Sequence, residues 1–148
     1  MDSLCIDVKK LKSGAILPSH GSAMSAGYDL FACLDAAVTI PPHATVSVGT
    51  GLAFAVPEGW FSAIFARSGL ATRQGLRPAN CVGVCDADYR GEYIVPIHND
   101  TDEPHTVAPG ERIAQMILLP CRYLAFREVE ALDATQRGEG GFGSTGSR

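Results

Sequence analysis

TVSVGTGLAFAVPEGWFSAIFARSGLA, residues 45–71, holds three short apolar runs separated by glycines and by Pro57-Glu58-Gly59. The runs are TVSVG at 45–49, LAFAV at 52–56 and WFSAIFA at 60–66. Each is strand-sized, rich in β-branched and aromatic residues, and bounded by turn formers. The same rhythm continues outward through LCIDV at 4–8, AAVTI at 36–40, CVGVC at 81–85, YIVPIH at 93–98, RIAQMILL at 112–119 and YLAFREVE at 123–130. Sixteen glycines and nine prolines supply the breaks. About nine strands is the count of a sandwich or barrel. Only Leu70 to Gln74 reads as a helical turn, because no longer window keeps a 3.6-residue period. The pattern predicts an all-β, mostly antiparallel fold, a distorted jelly roll or β-sandwich.

The chain has 148 residues, 46% of them hydrophobic and 19% charged, which is one ordinary packed domain. At this size about 70% of the unfolded surface can be buried without disulfides or a structural metal. A net charge of −4 argues against nucleic acid as a partner, since phosphate-backbone binders carry a basic excess. No run approaches the ~18 apolar residues of a membrane span, and the N-terminus lacks a cationic stretch leading into an apolar one. The expectation is a soluble, cytoplasmic protein. Five scattered cysteines (Cys5, Cys33, Cys81, Cys85, Cys121) suit a reducing compartment. In a strand Cys81 and Cys85 would stand about 13 Å apart, too far for a disulfide, so both are expected to pack in or against the core. The four histidines show no ligand spacing. Trp60, Phe61 and Phe65 suit a subunit contact or a single-chain core equally well.

Three polar clusters stand apart from this background. Arg67 opens RSGLA at a strand end, where Ser68 and Gly69 can turn a hydroxyl and backbone amides toward an anion. In GVCDADYRGEY, residues 83–93, turn chemistry accounts for Asp88 and Gly91. It accounts less well for Asp86, a carboxylate closing an apolar strand and able to hold a water as general base. Asn80 and Asp86 would be about 20 Å apart in an extended strand, so a bend near Gly83 is expected if one small molecule touches both. The last twelve residues, RGEGGFGSTGSR, place Arg137, Phe142, Ser144 and Thr145 among glycines. Composition alone favours a disordered tail, while the polar groups suit a lid over an anionic ligand. Its Gly138, Gly140 and Gly143 have dinucleotide-fold spacing, but neither the strand before nor the helix after that such a fold requires.

AGYDL (26–30), RSGLA (67–71), GVCDADYRGEY (83–93), GERIAQ (110–115) and RGEGGFGSTG (137–146) together resemble the five ordered motifs of the trimeric deoxyuridine triphosphate nucleotidohydrolases, the dUTPases. Ala66, Cys85 and Glu111 depart from the residues common there without removing a polar group. The resemblance implies hydrolysis of dUTP to dUMP and pyrophosphate, which keeps uracil out of DNA and supplies dUMP for dTMP synthesis. It also implies a jelly-roll homotrimer whose active sites are shared between subunits. Residues 1–136 would be the catalytic β domain and residues 137–148 a mobile, glycine-rich lid. Asp86 would be the general base directing water at the α-phosphorus. Tyr89 would lie against the deoxyribose and Asn80 would read uracil with the backbone of the hairpin. Arg67, Ser68 and Gly69 would hold the middle of the phosphate chain and Gln115 the α-phosphate. Arg137, Ser144 and Thr145 would hold the γ-phosphate while Phe142 stacks on the base. Mg2+ would be chelated by the phosphates without a direct protein ligand; Asp29 either reaches it through water or anchors its own turn. The alternatives are a dCTP deaminase-like enzyme, which needs an acid-base group beside the pyrimidine amino position, and a catalytically inactive nucleotide-binding module.

Overall fold

The computed structural model describes residues 4–141. These form eleven strands and one short helix. In chain order the strands are β1 (Asp7–Lys10), β2 (Tyr28–Phe31), β3 (Val38–Ile40), β4 (Thr45–Gly49), β5 (Leu52–Ala55) and β6 (Trp60–Phe65). Helix α1 (Ser68–Gln74) follows, then β7 (Leu76–Pro78), β8 (Val82–Cys85), β9 (Ile94–Asn99), β10 (His105–Val107) and β11 (Arg112–Pro120). Every ladder is antiparallel. The largest sheet runs β2-β11-β6-β8, with a second of β4-β9-β7 and two paired ribbons, β1-β5 and β3-β10. The all-β jelly-roll expectation therefore holds.

Register follows the apolar pattern. Val48 lies opposite Val95, and both are buried, as are Ile97, Leu30, Ile40 and Leu52. A shift by one residue would turn those side chains to solvent, so burial fixes the pairing. Among the described residues every buried side-chain polar atom has a hydrogen-bond partner. The Asn99 amide donates to the carbonyls of Ile40, Pro41 and Glu103 at 3.1, 3.2 and 2.7 Å, and its oxygen accepts from Thr101 N and Oγ1.

The structure revises several local expectations. The first strand begins at Asp7 rather than Leu4, because its length is set by pairing from Asp7–Ala55 to Lys10–Leu52. Short β2, β7 and β10 carry too few residues for a period to be read. The helical turn begins at Ser68 and stops at Gly75, whose φ of 63° ends it in the left-handed conformation. YLAFREVE at 123–130 forms no strand; β11 already has β2 and β6 on its two sides, and the chain past Pro120 meets no further ladder. Cys81 is exposed rather than packed, while Cys85 lies against the core.

Candidate functional site

Two clefts collect the polar clusters. The first lies where β2, β11 and β6 run side by side, with Asp29 opposite Gln115 and Gln115 opposite Phe65. Two residues beyond Phe65 the chain leaves β6 at Arg67, which is extended (φ −82°, ψ 131°), and enters α1. Arg67 Nε donates to Asp29 Oδ1 at 2.7 Å, and Arg112 Nη1 donates to Asp29 Oδ2 at 3.2 Å. The carboxylate between them is largely buried. Asp29 thus anchors two guanidiniums from other elements rather than its own turn, and it aims the free ends of both along the cleft. Gln115 Nε2 donates to the Ala66 carbonyl at 2.9 Å, fixing the strand end from which Arg67 starts. A Cβ at Gly27 would collide with Gln115 Oε1, so the loop before β2 can approach this closely only with glycine there. Ser68, Gly69, Thr72 and Arg73 complete an open cleft of about 700 Å³. Arg73, Arg112 and Thr72 escaped the sequence reading, which followed motif ends; a cation four residues beyond Gly69 on a helical turn was the available signal.

The second cleft, of about 370 Å³, is bordered by Asn80, Gly83, Val84, Asp86, Tyr89 and Tyr93. The bend that brings Asn80 to Asp86 is real but sits at Cys81, whose φ is 61°, and not at Gly83. Val82 N donates back to Asn80 O at 2.7 Å, a tight reversal that folds the Asn80 side chain over the strand. Gly83 makes room for it: a Cβ there would stand 3.1 Å from Ile64 Cβ and 3.3 Å from Asn80 Nδ2. Beyond β8 the chain turns at once, with Tyr89 N donating to Asp86 O at 3.2 Å and Arg90 Nη1 to Ala87 O at 2.6 Å. Tyr89 lies over Gly91, where a Cβ would strike its ring, and its hydroxyl donates to Glu92 O at 3.0 Å. Beneath it, burial pushes the Tyr93 phenol up to about 12, and its hydroxyl lies 3.1 Å from Ser62 Oγ. Burial also raises the Cys85 thiol. Asp86 itself is exposed and forms no ion pair among the described residues. It stands on a ridge, bordering a further cleft lined by Trp60, Phe61 and Tyr123.

The structure therefore brings Asn80, Asp86 and Tyr89 together, and separately brings Arg67, Ser68, Gly69 and Gln115 together. It does not join the two groups. Ser62 is level with Cys85, so the Asp86 end of β8 lies about 15–20 Å from Arg67, five residues further along the chain, whereas the Asn80 end runs toward Arg67, with Val82 level with Phe65. The two clefts share no lining residue. Arg137 borders neither; its Nε donates to Gly140 O at 2.8 Å in a local turn. Phe142, Ser144 and Thr145 lie outside the described residues. Among the described residues no three His, Cys, Asp or Glu side chains cluster as metal ligands. No helix among them is long and apolar enough to cross a membrane.

A family model described as dUTPase matches residues 13–146. The deoxyuridine 5'-triphosphate nucleotidohydrolase of Syntrophotalea carbinolica is 45% identical over 146 residues, covering 99% of each chain. That of Oryza sativa subsp. japonica is 48% identical over 141 residues, covering 95% of this chain and 80% of the relative. Among solved structures, the dUTPase of Staphylococcus bacteriophage 80alpha, a G164S mutant with dUpNHpp, superposes with a TM-score of 0.88 at 27% identity, covering 97% of this chain and 99% of that one.

Proposed function

The chain belongs to the dUTPase family and is a dUTP-hydrolysing enzyme, and from that premise we propose how its residues divide the work. The observation that carries the proposal is the meeting of Asn80, Tyr89 and Asp86 around one cleft. Asn80 and the hairpin backbone read the uracil edge; cytosine offers a donor where uracil offers an acceptor and leaves a group unpaired. Tyr89 lies against the deoxyribose and excludes a 2′-hydroxyl by shape. Asp86, an exposed carboxylate at the cleft's rim, orients a water and takes its proton as the oxygen bonds to the α-phosphorus and the bond from that phosphorus to the bridging oxygen breaks, releasing pyrophosphate. Arg67, Ser68 and Gly69 hold the middle of the phosphate chain and Gln115 the α-phosphate, with Asp29 as the anchor that aims Arg67.

Residues 1–136 act as the catalytic β domain and 137–148 as a lid, in which Arg137, Ser144 and Thr145 take the γ-phosphate and Phe142 covers the base. Ordering glycine-rich chain costs about 1–2 kcal/mol per residue, so closure requires a bound triphosphate to offset it. The gap between the base-side and phosphate-side clefts supports a homotrimer in which different copies supply the two halves of each site. The one carboxylate lining the phosphate cleft among the described residues is already engaged: Asp29 is held by two arginines. That donor set fits a magnesium ion carried by the phosphates rather than by the protein. When bound, Mg2+ neutralises phosphate charge and orders the phosphate chain. Five cysteines without a disulfide support a reducing, cytoplasmic setting.

The test is a panel of dUTP, dCTP, dTTP and UTP with and without magnesium, reading pyrophosphate and ammonia. Pyrophosphate from dUTP alone is expected. Ammonia from dCTP, or equal turnover of UTP, refutes the assignment of Asn80 and Tyr89.

A further inference from the structure

The phosphate-side cleft holds three arginines, and their charges are not equivalent. Arg67 and Arg112 both spend a guanidinium edge on Asp29, at 2.7 and 3.2 Å, so the carboxylate offsets part of their combined charge. Arg73 has no such counter-ion: among the described residues it forms no ion pair. It is exposed, yet it is not extended into solvent. A Cβ at Gly69 would stand 2.8 Å from Arg73 Nη2 and 3.7 Å from its Cζ, so the guanidinium lies back along α1 over the bare backbone of Gly69. Both residues border the cleft. The absence of a side chain at position 69 is what opens this route, since Gly69 has no positive φ to explain it.

We propose that Arg73, seated over Gly69, is a specificity-determining residue that reads the charge of the phosphate chain and favours dUTP over dUDP and dUMP. This rests on the reading of the cleft as the phosphate subsite. A nucleotide that loses one phosphate loses negative charge, and an uncommitted, forked cation registers that loss more strongly than cations already balanced by a carboxylate. The competing account is that Arg73 merely complements the C-terminal end of α1, a stability effect that would leave ligand affinity untouched.

The experiment measures pyrophosphate release from dUTP and calorimetric binding of a non-hydrolysable imido analogue of dUTP and of inorganic tripolyphosphate, with dUDP as a competing ligand. It uses the full-length protein and Arg73→Ala, Arg73→Gln and Arg73→Lys. Arg73→Gln guards against a folding defect because glutamine is as good a helix former. The expected result is a rise of tenfold or more in KM and in the analogue's Kd for the Ala and Gln variants, with kcat changed less than threefold. A narrowed preference for dUTP over dUDP, partial rescue by lysine and a flatter salt dependence of binding should accompany it. Gly69→Ala, which displaces the guanidinium, should weaken binding less on top of Arg73→Ala than in the wild-type background. Unchanged Kd, salt dependence and nucleotide preference in folded Ala and Gln variants overturn the proposal. A wild-type protein that bound both probes without releasing pyrophosphate from dUTP would instead sink the catalytic reading, and the binding data would still decide Arg73.

Discussion

Asp86 and Asp29 are both carboxylates next to apolar strands, yet their surroundings separate them. Asp86 is exposed, without an ion pair among the described residues, and faces a cleft; Asp29 is buried between two arginines. Asp86→Asn should bind the imido analogue with near wild-type affinity and hydrolyse dUTP orders of magnitude more slowly; retention of more than a tenth of wild-type turnover removes it as the base. Asp29→Asn should act differently, releasing Arg67 and raising KM while also lowering stability by about 1–3 kcal/mol, because two guanidiniums lose their shared anion. Tyr93 gives a pH prediction. Its folded value of about 12 exceeds the ordinary 10, so the folded state keeps a proton that the unfolded chain releases. The contribution is whole below pH 10 and is lost as pH rises from 10 to 12, on the order of 2 kcal/mol. Urea denaturation from pH 9 to 11.5 should therefore decline more steeply for the wild type than for Tyr93→Phe; parallel declines would refute the assignment.

At the scale of an element, β8 and its flanking turns show how a four-residue strand builds one wall of a cleft. Gly83 is buried against Ile64 with Asn80 folded across it, and Cys81 takes a left-handed φ to start the strand. Gly83→Ala should cost about 1–3 kcal/mol through overpacking and raise KM by displacing Asn80; thermal melting and dUTP kinetics read the two effects separately. The segment after β11 behaves otherwise. Tyr123, Leu124 and Phe126 are 72, 72 and 92% exposed. A run of strand-forming residues is not a strand without a neighbour to pair with, which is why YLAFREVE misled. Deleting residues 137–148 should leave a folded protein with little turnover, and full activity in that truncation rules out the lid.

At the scale of the whole molecule, the separation of the two clefts makes a prediction that no single residue can. If each site takes Asp86 from one copy and Arg67 from another, co-refolding equal amounts of Asp86→Asn and an inactive Arg67→Ala should restore activity. Random assembly leaves about a quarter of the sites with both residues intact. If both came from one copy, no site would be whole and the mixture would stay inactive. Light scattering should give three times the 15.6 kDa chain mass.

What the amino-acid order determined on its own was whatever depends on neighbours along the chain. Short apolar runs between glycines and prolines specified an antiparallel β fold, because strand period and turn chemistry are local properties. The polar clusters at strand ends marked residues of both clefts for the same reason. Tertiary structure alone decided what depends on contacts distant in sequence. It set the ends of β1 through its partner and withheld a partner from residues 123–130. It joined Asp29 to Arg67 and Arg112 across 38 and 83 residues. It moved the bend from Gly83 to Cys81, since Gly83 is used for packing against Ile64 rather than for its backbone freedom. It also set Asp86 apart from Arg67, for their spacing follows from where each joins the β6 ladder, a registration that pairing between strands creates and no local stretch of sequence contains.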